Sequence, residues 1–227
     1  MDAICELASR HSLVVVTDAA QSQGVSYHDS PTSAYVDAEA YSFYPTKNLG
    51  AMGDAGAVVT NNPSLAARLR AVRNYGSSEK YHATYLGFNS RLDALQAAIL
   101  RAKLPFLDQD NQARRVIAQR YLSEIRYEQL FLPPADTPEQ DVWHLFVVRH
   151  PKRELWRSYL ASRGVQTELH YPLPIHHQAA YSSLRRLHLP LTEQLHREVV
   201  SLPLHPALTE EQIAHVINVV NSSPYYA

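Results

Sequence analysis

The run Leu13-Val14-Val15-Val16 narrows the fold most, because Thr17-Asp18-Ala19-Ala20-Gln21 closes it at once. Four apolar residues between polar neighbours are too few for a buried helix. They suit a short strand covered on both faces, as in a parallel sheet. Such strands need helices to cover them, and residues 2–10 provide one, with Ile4, Leu7 and Ala8 on one face. The sheet's carboxyl ends are where open α/β folds bind ligands, and Asp18 stands at such an end.

The same alternation continues. AEAYSFYP (38–45) and AGAVVT (55–60) read as further strands. Asn62-Pro63 reads as a helix start, with Leu65, Leu69 and Val72 on its apolar face and Gly76 past its end. A polar, tyrosine-bearing loop spans 75–89. The spacing then predicts a long helical region from Ser90, broken or kinked at Pro105 and resuming through Ile117, Tyr121 and Ile125. FLPPADTPEQD (131–141) is proline-rich and linker-like. Beyond it, VWHLFVVR (142–149) reads as a strand and RELWRSYLASRG (153–164) as a helix. Helices follow near 192–200 and from Thr209, the last with a capping box to Gln212. The chain is therefore expected to form two domains. Residues 1–130 are α/β with only three or four strands, and 131–227 form a smaller α+β unit.

Composition excludes several functions. Net charge is −1, so no basic imbalance points to nucleic acid or a membrane surface. The 14 tyrosines are scattered, without the spacing of an RNA-binding sheet. No apolar run reaches membrane-helix length, and the start MDAICELASRHS lacks the form of a signal peptide. Cys5 is the single cysteine, so no internal disulfide forms and a reducing, cytoplasmic setting fits.

Motifs narrow the chemistry further. GAMGDAG departs from GxGxxG and precedes a strand rather than opening a helix. No P-loop or GxSxG elbow is present. The histidines of HYPLPIHH lack zinc-motif spacing, so no metal site is expected. SFYPTKNLGAMGDAG (42–56) remains, with three of the chain's seven glycines around Lys47. Glycines let backbone approach a bulky group, and a lysine amine condenses with carbonyls. Pyridoxal phosphate (PLP) needs a lysine for its aldehyde, a carboxylate for its ring nitrogen and donors for its phosphate. Lys47, Asp18 and Ser42 offer those three groups. Plainer roles stay open: a strand-end cap for Asp18, a turn lysine for Lys47, a core hydroxyl for Ser42.

TDAAQSQG, YSFYPTKNLGAMGDAGAVVT, RNYGSSEKY and GFNSRLDALQAAILRAKL, in that order, resemble the DegT/StrS family of sugar-nucleotide aminotransferases. HYPLPIH and SLPLHPALT extend the likeness to about residue 220. The resemblance implies a PLP-dependent transferase of the aspartate aminotransferase-like fold, type I. It implies that Lys47 binds and serves the cofactor, Asp18 meets the pyridine nitrogen, Gln21 lies near the ring hydroxyl and Ser42 binds phosphate. It further implies that Asn89 reaches the phosphate of a neighbouring subunit in a homodimer, and that His170 and Tyr171 lie near substrate. For Asn89 a helix cap before Ser90 is the plainer alternative, and for His170 and Tyr171 loop packing.

The implied reaction moves an amino group, from glutamate as donor, to a nucleotide-linked keto sugar. The wording around RNYGS and NSRLD is closest to members acting at C3 of a dTDP-keto-6-deoxyhexose. The family's dehydratase branch is expected to carry histidine where Lys47 stands. Against the family pattern, the segment supplying further sheet strands, a phosphate-binding turn and a ring-stacking aromatic has no counterpart ahead of Met1. SPTSAYVDAEA also replaces a glycine-bearing turn. An incomplete large-domain sheet is thus expected, and the alternative is a truncated, non-catalytic remnant or a structural half that needs a complementing N-terminal segment.

Overall fold

The computed structural model of the protein describes residues 1–134 and 140–226, so the central part of the expected linker, 135–139, lies outside the described residues. The chain divides into two units, Met1–Asn111 with Gln140–His144, and Gln112–Glu139 with Leu145–Ala227.

The first unit is α/β. After α1 (Asp2–Arg10) come β1 (Val16–Asp18), a hairpin of β2 (Ser26–Tyr27) and β3 (Ser30–Pro31), then β4 (Ala38–Ser42) and β5 (Gly56–Val59). The sheet order is β1-β4-β5, with β1 parallel and β5 antiparallel to β4. The first strand lies later than the apolar run suggests, sharing only Val16 with it. Pairing begins at Val15, whose N–H donates to Asp37 Oδ2 at 2.8 Å and whose carbonyl accepts from Asp37 N–H at 3.0 Å. Leu13 N–H is taken instead by Ala8 O of α1, at 2.8 Å. The expected burial on both faces is also absent: Leu13, Val14 and Val16 are 64, 72 and 63% exposed, and every residue of β5 is exposed.

Helix α2 (Pro63–Val72) starts as the sequence predicts, Asn62 Oδ1 accepting from the Ser64 and Leu65 N–H groups. A hairpin of β6 (Ser77–Glu79) and β7 (His82–Ala83) follows. Before it, Gly76 has φ +76°, and a Cβ there would sit 1.7 Å from Tyr85 O, so only glycine fits. Helix α3 (Ala94–Lys103) begins four residues later than expected. Asn89 pairs with Asn74, and Ser90 N–H donates to Arg73 O, which holds this stretch extended. Pro105 lies in a 3-10 turn between α3 and α4 (Leu107–Glu124). Leu49, Ala51 and Leu100 form a buried cluster with Phe43, Ala55, Leu92 and Leu107 packed against it. The core of this unit thus lies under the segment that carries Lys47.

In the second unit β8 (Phe146–Arg149) is followed by α5 (Arg153–Ser162), α6 (Pro190–Glu198), β9 (Val199–Leu202) and α7 (Glu210–Asn221). β8 pairs antiparallel with β9, Phe146 opposite Leu202. The strand expected from Val142 starts at Phe146, because Val142–His144 belong to the first unit. Tyr121, Phe146, Trp156, Leu160, Val200 and Val220 are fully buried. His150 is buried with them, stacked 5.1 Å from Trp156 and 5.7 Å from Tyr127. The capping box of α7 forms between Thr209 and Gln212. Among the described residues no helix is long and apolar enough to cross a membrane.

Candidate active site

Strand register brings the first two residues together. Asp18 of β1 stands opposite Ala40 of β4, and Ser42 lies two residues further along β4. Side chains two apart share a face, so Asp18 and Ser42 project on one side at the carboxyl end of the parallel pair. The other face carries Glu39, fully buried, which accepts from Thr32 Oγ1 at 2.5 Å and Tyr41 Oη at 2.8 Å. Burial, then the Glu39 contact, pushes the Tyr41 phenol well above its ordinary range. Asp18 itself is exposed, with Oδ1 accepting from Ala20 N–H at 3.0 Å. Ser42 Oγ accepts from Tyr44 N–H at 3.3 Å.

Lys47 follows on the loop that leaves this same strand end. Lys47 N–H donates to Tyr44 O, and Ala51 N–H to Phe43 O, closing the loop on itself. Gly50 is required where the loop folds back, since a Cβ would lie 2.3 Å from Pro45 O. Helix α3 fastens the far side, Gln96 Oε1 accepting from Met52 N–H and Lys103 Nζ donating to Gly50 O. Exposure changes sharply at Lys47: Tyr44, Pro45 and Thr46 are exposed, whereas Asn48, Leu49, Gly50 and Ala51 are buried. Lys47 Nζ has no hydrogen-bond or ion-pair partner among the described residues.

Beneath Lys47 lies a polar network that the sequence reading leaves out. Asn48 Nδ2 donates to Asn111 Oδ1 and to Val142 O, each at 2.8 Å, and Asn48 Oδ1 lies 3.2 Å from His144 Nδ1. Asn111 Nδ2 donates to Gln23 O at 2.9 Å. Gln23 Nε2 in turn donates to Ser42 O at 2.6 Å and is 3.3 Å from Ala20 O, joining the ends of β1 and β4. Low local dielectric strengthens such bonds and makes each broken one costly. The loop beside Lys47, the Ser42 strand end and the Asp18 turn are thus tied to one buried set. Its one sequence signal is Asn111 itself, a polar residue one helical turn after the core residue Leu107.

The remaining expected residues are distributed as follows. Gln21 is exposed in the turn after β1, and the buried glutamine there is Gln23. Asn89 is exposed in the extended segment before α3, with Arg91 3.4 Å from its Oδ1, so it caps no helix. His170 and Tyr171 belong to the second unit. There His170 Nδ1 lies 2.8 Å from Ser201 Oγ, and Tyr171 O lies 2.7 Å from His196 Nδ1.

Comparison with known proteins gives a consistent result. The model of the DegT/DnrJ/EryC1/StrS aminotransferase family matches residues 1–221. A dTDP-3-amino-3,6-dideoxy-alpha-D-galactopyranose transaminase of Aneurinibacillus thermoaerophilus is 47% identical over 225 residues, 99% of this chain and 62% of that protein. The crystal structure of Streptomyces venezuelae DesV in complex with a ketimine intermediate superposes with a TM-score of 0.92 at 46% identity, over 97% of this chain and 60% of that one. That of NtdA from Bacillus subtilis with bound cofactor PMP superposes with a TM-score of 0.83 at 31% identity, over 96% and 52%. The chain has the α/β fold of these structures and spans 60% of the length of the first and 52% of the second.

Proposed function

This chain belongs to the DegT/DnrJ/EryC1/StrS aminotransferase family, and we propose that it is the lysine-bearing part of a cytoplasmic, PLP-dependent sugar-nucleotide aminotransferase. The observation that carries this is the convergence of Asp18, Ser42 and the Lys47 loop at one end of the β1–β4 pair, over the network centred on Asn48 and Asn111.

The donor set fits the cofactor. An exposed carboxylate held at one oxygen suits a protonated ring nitrogen, a hydroxyl at the strand end suits a phosphate, and an amine without a partner among the described residues suits an aldehyde. When bound, the cofactor supplies that aldehyde and an electron-withdrawing ring. Asp18 would keep the ring nitrogen charged, and Ser42 Oγ would donate to the phosphate. Lys47 Nζ would hold the cofactor between turnovers and would carry a proton to and from the substrate carbon. Gln21 would stand at the ring hydroxyl. Asn89 serves a second copy's phosphate in a homodimer, and His170 and Tyr171 face the sugar nucleotide. Glutamate is the proposed amine donor and a dTDP-3-keto-6-deoxyhexose the proposed acceptor, by likeness to relatives named for dTDP-amino sugars.

Borohydride reduction of the protein incubated with PLP, followed by peptide mapping, tests the reading. Covalent label on the peptide containing Lys47, lost in Lys47→Ala, is the expected result. Label spread over surface lysines refutes it.

A second reading rests on the bare Leu13-Val14-Val16 row and the exposed β5. Apolar sheet surface of this kind calls for covering polypeptide. In that reading the chain is a structural half whose site works only with a complementing segment, and labelling of Lys47 appears only when that segment is added.

A further inference from the structure

Away from these residues, the second unit gathers three histidines around one carboxylate. A 3-10 turn, Ile175–His177, presents His176 and His177 side by side, with ring centroids 4.2 Å apart. Glu193, in the first turn of α6, reaches back to them. Its Oε1 lies 3.3 Å from His176 Nε2, 4.0 Å from His177 Nε2 and 3.7 Å from His188 Nδ1. The ligating atoms of His176, His177 and Glu193 all lie within 4.8 Å of one another.

We infer that His176, His177 and Glu193 form a zinc site, with His188 as the fourth ligand. The distances carry the inference. Four ligands about 2.0–2.1 Å from a tetrahedral ion are separated from each other by roughly 3.3 Å. The His176–Glu193 separation already has that value, the His177–Glu193 and His188–Glu193 separations exceed it by less than 1 Å, and the His176 and His177 nitrogens lie within 4.8 Å of each other. His188 is 82% exposed in its side chain, so it can swing inward as the ion arrives. Imidazole nitrogens with one carboxylate suit zinc or cobalt rather than magnesium or calcium, which take oxygen.

The site is also supported from behind. Leu189 N–H donates to Glu193 Oε1 at 3.0 Å, fixing the carboxylate as an outer-shell partner does. His176 is buried, so its ring is held in place before any ion binds. The ion would staple three pieces of chain: the Ile175–His177 turn, the loop at His188 and the start of α6. Sequence spacing hides the site because His176 and Glu193 are 17 residues apart and two of the histidines are adjacent. Without a cation, His176 is hydrogen-bonded to Glu193, with His177 and His188 near the same carboxylate oxygen.

The test uses the full chain, stripped with a chelator and dialysed. Zinc titration by calorimetry is expected to give one equivalent per chain. Cobalt is expected to give visible absorption of tetrahedral intensity that zinc displaces. His177→Ala and Glu193→Gln are each expected to weaken zinc at least about tenfold. Zinc is also expected to raise the melting temperature of the parent protein and not of His177→Ala. His215→Ala, which alters a histidine outside the cluster, is expected to bind as the parent does. No saturable zinc binding overturns the inference, and so does equal affinity in the parent, His177→Ala and Glu193→Gln. None of these readings depends on PLP or on amine transfer.

Discussion

Replacing Asn111 is the most direct way to ask whether the buried network holds the Lys47 loop. Asn111 is 1% exposed and makes two side-chain bonds, one accepted from Asn48 and one donated to Gln23 O. Asn111→Ala strands one amide hydrogen of Asn48 and the Gln23 carbonyl. A buried polar group left without its partner costs about 1–3 kcal/mol. Two such groups, less what an entering water restores, give a loss of about 3 kcal/mol. Because Asn48 adjoins Lys47, the loss is expected as local opening of residues 43–52. About 3 kcal/mol corresponds to roughly a hundredfold faster hydrogen exchange at the Lys47 and Ala51 amides. Asn111→Asp keeps an acceptor for Asn48 but points an oxygen at Gln23 O, and is expected to cost at least as much. In a double-mutant cycle, Asn48→Ala with Asn111→Ala should fall short of additivity by about 1 kcal/mol or more. Additivity, with exchange of the loop unchanged, would refute the view that this network anchors Lys47.

Two further outcomes follow from single residues. Gly24 has φ +90°, and a Cβ there would lie 2.6 Å from Asn111 Nδ2, so Gly24→Ala is expected to lower thermal stability by about 1–3 kcal/mol and to speed exchange of the same loop. Burial holds His150 below the ordinary imidazole range, so the unfolded chain binds the proton more tightly than the folded one. Stability is therefore expected to be fully present above about pH 6.5 and to fall as pH drops from there towards the folded value. In urea melts across that window, His150→Phe should be less stable at neutral pH, since it loses the acceptor for Lys152 N–H, and should show a flatter slope. An unchanged slope would count against His150 as its source.

Much of this was legible because it is local. The Asn62 cap, the Thr209–Gln212 box and the stop at Pro105 are each set by a few adjacent residues. Asp18 and Ser42 were legible as strand-end residues, and the pairing of β1 with β4 then puts them on one face. Burial of the first strand was not legible. A hydrophobic run states what it would prefer to touch, not whether anything touches it, and Leu13 and Val14 are bare. Asn48, Asn111 and Val142 escaped for another reason. Their bonds join residues 63 and 94 positions apart, so no window of sequence contains both partners. His176 and Glu193 are a shorter case of the same difficulty.

The abrupt change in exposure at Lys47 has a consequence for how the residue moves. On its C-terminal side the backbone is clamped, and on its N-terminal side it borders water. Lys47 therefore acts as a crane with a bolted base: the four-carbon stem sweeps while the Cα stays in place. Any reaction that needs the amine in two positions can be served by rotations about side-chain bonds, on the nanosecond scale, with no loop to open and close.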